Sequence, residues 1–370
     1  MSTTEVTSVL HLSSAHPWTD NRIHMREAAS LSQAGYDVGL YAVDNELHVG
    51  GTGVTVTRVP AAPRWRRVTL ESIRAVRFAV SSKASIVHIH DPELVWAIPL
   101  LQIRGKRVIY DAHEDLPSQV MHKPYIPETW RAPVAFVADR LLRIANLSDH
   151  VIAATEVVAK RFDANKTTVV RNYPLIDTSE QWSDPQQRGL SVVYVGGLSE
   201  ARGTRVLIEA LDSAQMPTGW SLKLAGWGAS GFVQSLSTLP GWDRVEFYGT
   251  VAPPAARELV GSSRVGLVVL GDTPNHRDAL PTKMFEYMAS GVPVIASDFP
   301  LWRQILEEHD CGLVVDPDSP EDIAAAIALY AGDPGLLMRH SVNGFNAVRN
   351  SLNWTSEAEG LVRAYRAVSR

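Results

Sequence analysis

Short apolar runs alternate with longer amphipathic stretches along nearly the whole chain. In the first half the apolar runs fall at 6–12, 38–43, 54–59, 86–90, 107–110, 150–153 and 168–170, and helical periodicity fills 22–34, 68–82, 94–104, 129–145 and 156–162. Apolar strands separated by helices predict a parallel sheet covered on both faces. A polar, proline-containing stretch at 176–189 then reads as an interdomain linker. After it the pattern restarts, with strands expected at 191–195, 221–225, 245–248, 265–270, 292–296 and 312–315. Helices are expected between them at 204–213, 230–238, 254–261, 284–290, 302–308 and 321–330, followed by 334–349 and 354–368. Two α/β domains of this kind are expected to place a ligand in a cleft between the carboxyl ends of their strands.

Composition narrows the class. At 370 residues the chain exceeds one typical core, so two domains of about 170–180 residues are the default. It is 45% hydrophobic and 20% charged, and no apolar run approaches the ~18–20 residues that span a bilayer. With no signal-peptide pattern at its start, a cytoplasmic location is expected. The net charge of −5 argues against general nucleic-acid binding. Cys311, the one cysteine, sits before Gly312-Leu-Val-Val and reads as a small buried apolar side chain.

Candidate chemistry concentrates in a few segments. Asp278-Ala-Leu-Pro-Thr-Lys283-Met-Phe-Glu286 leads into a helix that Gly291 closes, Thr282 being a plausible N-cap. Lys283 and Glu286 then share the N-terminal end, where unpaired amides and the helix dipole suit a phosphorylated or hydroxyl-rich ligand; a plain surface Lys/Glu pair is the alternative. Tyr194-Val-Gly196-Gly197 follows a strand, and Arg202 adds a fixed charge, so this is a phosphate-site candidate or an ordinary glycine turn with a solvated arginine. In the first domain, Asp111-Ala-His113-Glu114-Asp115 and His88-Ile-His90-Asp91 run off strand ends. His113 is the better proton-handling or ligand-contacting candidate, and His88 reads as a core histidine. Metal ligation is not expected, because no zinc-type spacing of histidine or cysteine occurs. His16, Asp20 and Arg22 follow the first strand, with Asp20 also able to cap the next helix. The segment 64–78 carries five arginines among Trp65, Val68, Leu70, Ile73, Val76 and Phe78. It fits either an anionic membrane surface or an ordinary helix with one buried side.

Taken together, these residues resemble the retaining glycosyltransferase family 4, whose members have the GT-B architecture of two facing Rossmann-like domains. The segments at 90–94, 110–115 and 123–127 look like a subgroup from surface-polysaccharide assembly. The resemblance implies an acceptor-binding domain at 1–175, to which a C-terminal helix at 354–370 crosses back, and a donor-binding domain at 190–353. It implies that Asp278 meets hydroxyls of a donor sugar, Glu286 a ribose, and the amides of Ala279 and Leu280 the sugar and diphosphate. Asp278 stands where the family usually has Glu, and Gly197 where it commonly has Arg, which assigns part of the diphosphate charge to Lys283 beside Arg202. His113 would lie near the reacting end of the sugar, with His16, Asp20, Arg22, Asp91 and Glu114 on the acceptor side. The implied reaction is retaining transfer from a UDP- or GDP-sugar, without metal or other cofactor, to a saccharide, lipid-linked or small-molecule acceptor in surface-polysaccharide, glycolipid or natural-product biosynthesis. A nucleotide-sugar epimerase and a catalytically silent sugar-nucleotide-binding protein share the architecture.

Overall fold

The computed structural model describes residues 6–45, 50–121, 126–176 and 181–369. Of the segment 123–127, residues 123–125 therefore lie outside the described residues, as do 177–180 of the expected linker. The chain divides into two compact units: Met1–Asn172 with Trp354–Arg370, and Tyr173–Asn353.

The first unit is built on seven parallel strands: β1 (Ser8–Pro17), β2 (Asp37–Val43), β3 (Thr55–Val59), β4 (Ile86–Ile89), β5 (Arg107–Ala112), β6 (His150–Ala153) and β7 (Thr167–Val169). Their spatial order is β3-β2-β1-β4-β5-β6-β7. Alternation along each strand decides which face a residue serves. Leu10, Leu12, Val87, Ile89, Val108 and Tyr110 pack with Ala75, Val76 and Ala79 on one side. Val9, Ile86, Ile109 and Ile152 pack on the other with Trp354, Leu361, Ala364 and Tyr365 of the helix Trp354–Val368. Trp354 Nε1 also donates to Ser30 Oγ at 2.8 Å.

The second unit repeats the scheme with β8 (Gly189–Val195), β9 (Ser221–Ala225), β10 (Val245–Gly249), β11 (Ser263–Val268), β12 (Val294–Ser297) and β13 (Gly312–Val315), ordered β10-β9-β8-β11-β12-β13. In each sheet the chain winds outward from the first strand, returns, and winds the other way. The reversals lie between β1 and β4 and between β8 and β11. Loops leaving these strands diverge there and open a crevice at the carboxyl ends.

Four local readings are corrected. The helix expected at 22–34 opens with a wider turn over Ile23–Ala28, in which Met25 N–H reaches Asp20 O and Glu27 N–H reaches Arg22 O, before Ala29–Gln33 continues as an α-helix. Thr282 is the first helical residue of Thr282–Ala289 and makes no side-chain cap; Pro281 occupies the cap position. Gly291 does take the left-handed conformation, at φ 63°. Much of the stretch expected as a linker packs on the second unit: Trp182 Nε1 donates to Ser341 Oγ at 2.9 Å, and Arg188 Nη2 to Ser290 O at 2.9 Å. Short helices at Leu116–Met121 and Pro274–Arg277 had no counterpart in the pattern.

Candidate functional site

In the second unit the glycine pair that ends β8 is held open by its neighbours. Gly196 has φ 150°, and a Cβ there would stand 3.1 Å from Lys283 Nζ; a Cβ on Gly197 would stand 3.3 Å from Arg202 Nε. The two cations thus flank one bare stretch of backbone. Behind it, a Cβ on Gly226 (φ 154°) would lie 1.7 Å from Gly196 O, so only glycine lets the loop after β9 approach this closely. Tyr194 braces the turn by donating its hydroxyl to Gly197 O at 2.9 Å.

Lys283 is the anomalous group. Its ammonium lies 3.8 Å from the centroid of the Tyr194 ring, is buried, and has no hydrogen-bond partner. Burial, with Arg202 adding repulsion and Glu286 partly offsetting it, lowers its pKa to about 7. A cation paired only with a π-face is poised for an anion. Arg202 is exposed in the turn Glu200–Arg202, and Glu286 is exposed one turn beyond Lys283. Asp278 is half-buried beside Arg277. Ala279 is exposed; its N–H lies 3.4 Å from His276 O and its carbonyl accepts Trp302 Nε1 at 2.7 Å, which anchors the loop. Leu280 instead packs into the apolar core. The signal for Tyr194 in the sequence is an aromatic residue two positions before a glycine pair.

In the first unit the carboxyl ends of β1, β4 and β5 carry a connected polar cluster. It follows from strand alternation: His11 continues the side of Val9, His88 that of Ile86, and Asp111 that of Ile109. At the exposed end, His16 and His113 stack with centroids 5.4 Å apart. His16 Nδ1 lies 2.9 Å from Asp91 Oδ1, and His113 Nε2 lies 2.8 Å from Asp111 Oδ2. Asp91 is buried, and its other oxygen accepts from Ser13 Oγ at 2.8 Å and Ser14 N at 2.6 Å. Burial alone would raise its pKa, but the His16 and serine bonds hold it at about 2. Glu114 is exposed beside His113.

Two residues expected on the acceptor side lie deeper. Arg22 is buried, donating from Nε and Nη2 to Asp111 at 3.1 and 2.8 Å and from Nη1 to Val170 O at 2.9 Å. Asp91 is likewise occupied by its neighbours. Both position other groups. Asp20 caps the turn that follows, accepting from Arg22 N at 2.8 Å and Ile23 N at 2.9 Å.

Below this layer His90 Nδ1 meets Asp111 Oδ2 at 3.1 Å, His90 Nε2 meets His11 Nδ1 at 2.9 Å, and His88 Nδ1 meets Tyr365 Oη at 2.8 Å. Burial lowers the pKa of all three histidines. Glu27 lies beside them, its Oε1 3.0 Å from Arg22 Nε. Burial, reinforced by Asp111, raises its pKa, whereas Arg22 and His113 overcome burial at Asp111 and lower it. His11, Glu27 and Tyr365 escaped the sequence reading.

Cys311 is buried, its thiol pushed up to about 12 by burial, in keeping with a packing role. The helix Ser72–Ser81 buries Ala75, Val76 and Ala79, whereas Trp65, Val68, Leu70 and Ile73 are exposed. Arg66 and Arg74 pair with Glu71, and Arg67 with Glu93. Among the described residues no helix is long and apolar enough to cross a membrane.

Residues 189–333 match the family model described as "Glycosyl transferases group 1", and residues 21–172 match "Glycosyl transferase 4-like domain". Among curated proteins, the chain is 22% identical over 62% of its length to the Bacillus subtilis protein TuaH, named for teichuronic acid biosynthesis. It is 24% identical over 54% of its length to a phosphatidyl-myo-inositol mannosyltransferase of Mycobacterium leprae. The matches span 59% and 52% of those relatives' own lengths. The fold is similar to sucrose-phosphate synthase of Thermosynechococcus elongatus, with TM-score 0.78 and 19% identity over 99% of both chains. It is also similar to HepE of Anabaena in complex with UDP, with TM-score 0.72 and 18% identity over 98% of this chain and 100% of the other.

Proposed function

The chain belongs to family 4 of the glycosyltransferases, with the GT-B fold, and from that premise we propose that it moves a hexose-type unit from a nucleoside diphosphate sugar to an acceptor hydroxyl with the anomeric configuration retained. The observation that carries this reading is the pair of cations, Lys283 and Arg202, against the bare backbone of Gly196 and Gly197.

In this reading the second unit holds the donor. Arg202, Lys283 and the amides of the glycine turn take the charge that develops on the leaving diphosphate, a stabilisation that needs no divalent metal. Glu286 accepts from the ribose hydroxyls and Asp278 from the sugar. The bond from the anomeric carbon to the phosphate oxygen breaks as the acceptor oxygen attacks from the same face, and the departing phosphate oxygen takes the acceptor's proton. No nucleophile-and-acid carboxylate pair is required, unlike hydrolysis by two carboxylates. The first unit presents the acceptor to His16, His113 and Glu114. Since Asp111 engages Nε2 of His113, Nδ1 is the nitrogen left for a ligand. UDP is the favoured nucleotide, by analogy with HepE, and a surface glycan or glycolipid the favoured acceptor class, by analogy with the curated relatives.

A thermal-shift screen against UDP, GDP, ADP and dTDP, followed by product analysis with the selected donor, tests the proposal. Stabilisation by one nucleotide, acceptor-dependent release of it, and persistence of both in excess chelator are expected. Conversion of donor without acceptor would instead assign an epimerase, and binding without turnover a silent sugar-nucleotide-binding protein.

A further inference from the structure

His11, Glu27, His88 and His90 come from β1, the wide turn after it, β4 and the residue that follows β4, yet one donor atom from each lies within 4.8 Å of the others. All four side chains are buried. His11 Nε2, His88 Nε2 and Glu27 Oε2 are enclosed without a hydrogen-bond partner, whereas Glu27 Oε1 meets Arg22 Nε at 3.0 Å. Three buried polar atoms without partners are costly to leave dry, at about 1–3 kcal/mol each. The four side chains are also three imidazoles and a carboxylate, a first-row transition-metal donor set.

Second contacts orient the rings as they do around a bound metal. His90 Nδ1 is on the Asp111 carboxylate and His88 Nδ1 on the Tyr365 hydroxyl, which fixes both ring planes. His11 Nδ1 and His90 Nε2 face each other at 2.9 Å in a hydrogen bond that a divalent ion between them would replace. Glu27 and Asp111 share the buried guanidinium of Arg22.

We propose that the first unit contains a closed structural site for a zinc-class divalent ion, held by His11, Glu27, His88 and His90 and separate from the donor-binding turn. Its four protein ligands leave no position for substrate, and its role is to lock β1, β4 and the wide turn together beneath Asp111 and His113.

The experiment is metal analysis by mass spectrometry on the full-length chain purified without chelator, then after reversible unfolding in chelator and refolding with Zn²⁺ or Co²⁺ alone. About one ion per chain is expected, and the Co²⁺ form should absorb between roughly 500 and 650 nm with the intensity of a four-coordinate site. Glu27→Gln and His88→Asn should each lower retained metal about tenfold or more, whereas His16→Ala, outside the ligand set, should leave it unchanged. If His88→Asn fails to fold, Glu27→Gln, which keeps side-chain volume, decides. Metal-free protein both as purified and after refolding with either ion would overturn the proposal, as would full retention in a folded Glu27→Gln chain.

Discussion

The ammonium of Lys283 rests 3.8 Å from the centre of the Tyr194 ring, buried and without a hydrogen-bond partner. The arrangement makes stability and ligand binding depend on pH with a fixed sign. The folded pKa is about 7 against an ordinary 10.5, so between these values the unfolded chain carries the extra proton. Stability therefore rises as pH rises through that window and is insensitive to this group below it, with a slope of up to about 1.4 kcal/mol per pH unit. Denaturant titrations at several pH values in this range should show the gain in the native chain and not in Lys283→Met. UDP binding at pH 8 should take up a proton, read by calorimetry in buffers of different ionisation enthalpy; an uptake of zero would remove Lys283 from the diphosphate.

Arg202 is exposed at the edge of the glycine turn. Arg202→Ala should lower turnover around 10²-fold, the usual loss for one preorganised donor to developing charge. Glu286→Ala should instead weaken nucleotide affinity, measured by titration with UDP. Unchanged kinetics in the first variant, or unchanged affinity in the second, would place that residue outside the site.

The contact of Gly226 with Gly196 gives a third expectation. Gly226→Ala forces a methyl group against Gly196 O and should cost about 3 kcal/mol or more, near or beyond the upper end of ordinary overpacking. A lower thermal midpoint together with loss of UDP stabilisation is the expected outcome. An unaltered UDP response would separate this turn from nucleotide binding.

Trp65, Val68, Leu70 and Ile73 face outward beside arginines, which is how a membrane-apposed helix distributes its residues. Arg66, Arg67 and Arg74 already pair with Glu71 and Glu93, so charge reversal there would disturb internal contacts as well. The sharper variant is Trp65→Ser with Leu70→Ser. Flotation with vesicles containing anionic lipid should fall several-fold in this variant, and equal, negligible flotation of both proteins would leave an ordinary solvated helix.

The strands were legible because parallel strands buried on both faces appear as unbroken apolar runs. Val9-Leu10 and Ile86-Val87 are of this kind. The turn that brings Gly196, Gly197 and Arg202 together stood out for a related reason: the three are close in sequence. The histidine cluster was not, since residues 11, 27, 88 and 90 meet only through the adjacency of β1 and β4. Spacing along the chain carries no trace of neighbours created by sheet order. The wide turn after Asp20 was equally hidden, because its i to i+5 bonds leave the apolar periodicity intact while bringing Arg22 and Glu27 together.

The helix Trp354–Val368 follows the second unit along the chain, yet its apolar side seals the sheet of the unit that precedes it. During synthesis the continuous segment Tyr173–Asn353 can close as soon as it emerges, whereas the earlier unit waits, with Val9, Ile86, Ile109 and Ile152 uncovered, until residue 368 has been added. The unit whose strands come earlier in the sequence is thus completed after the one that follows it.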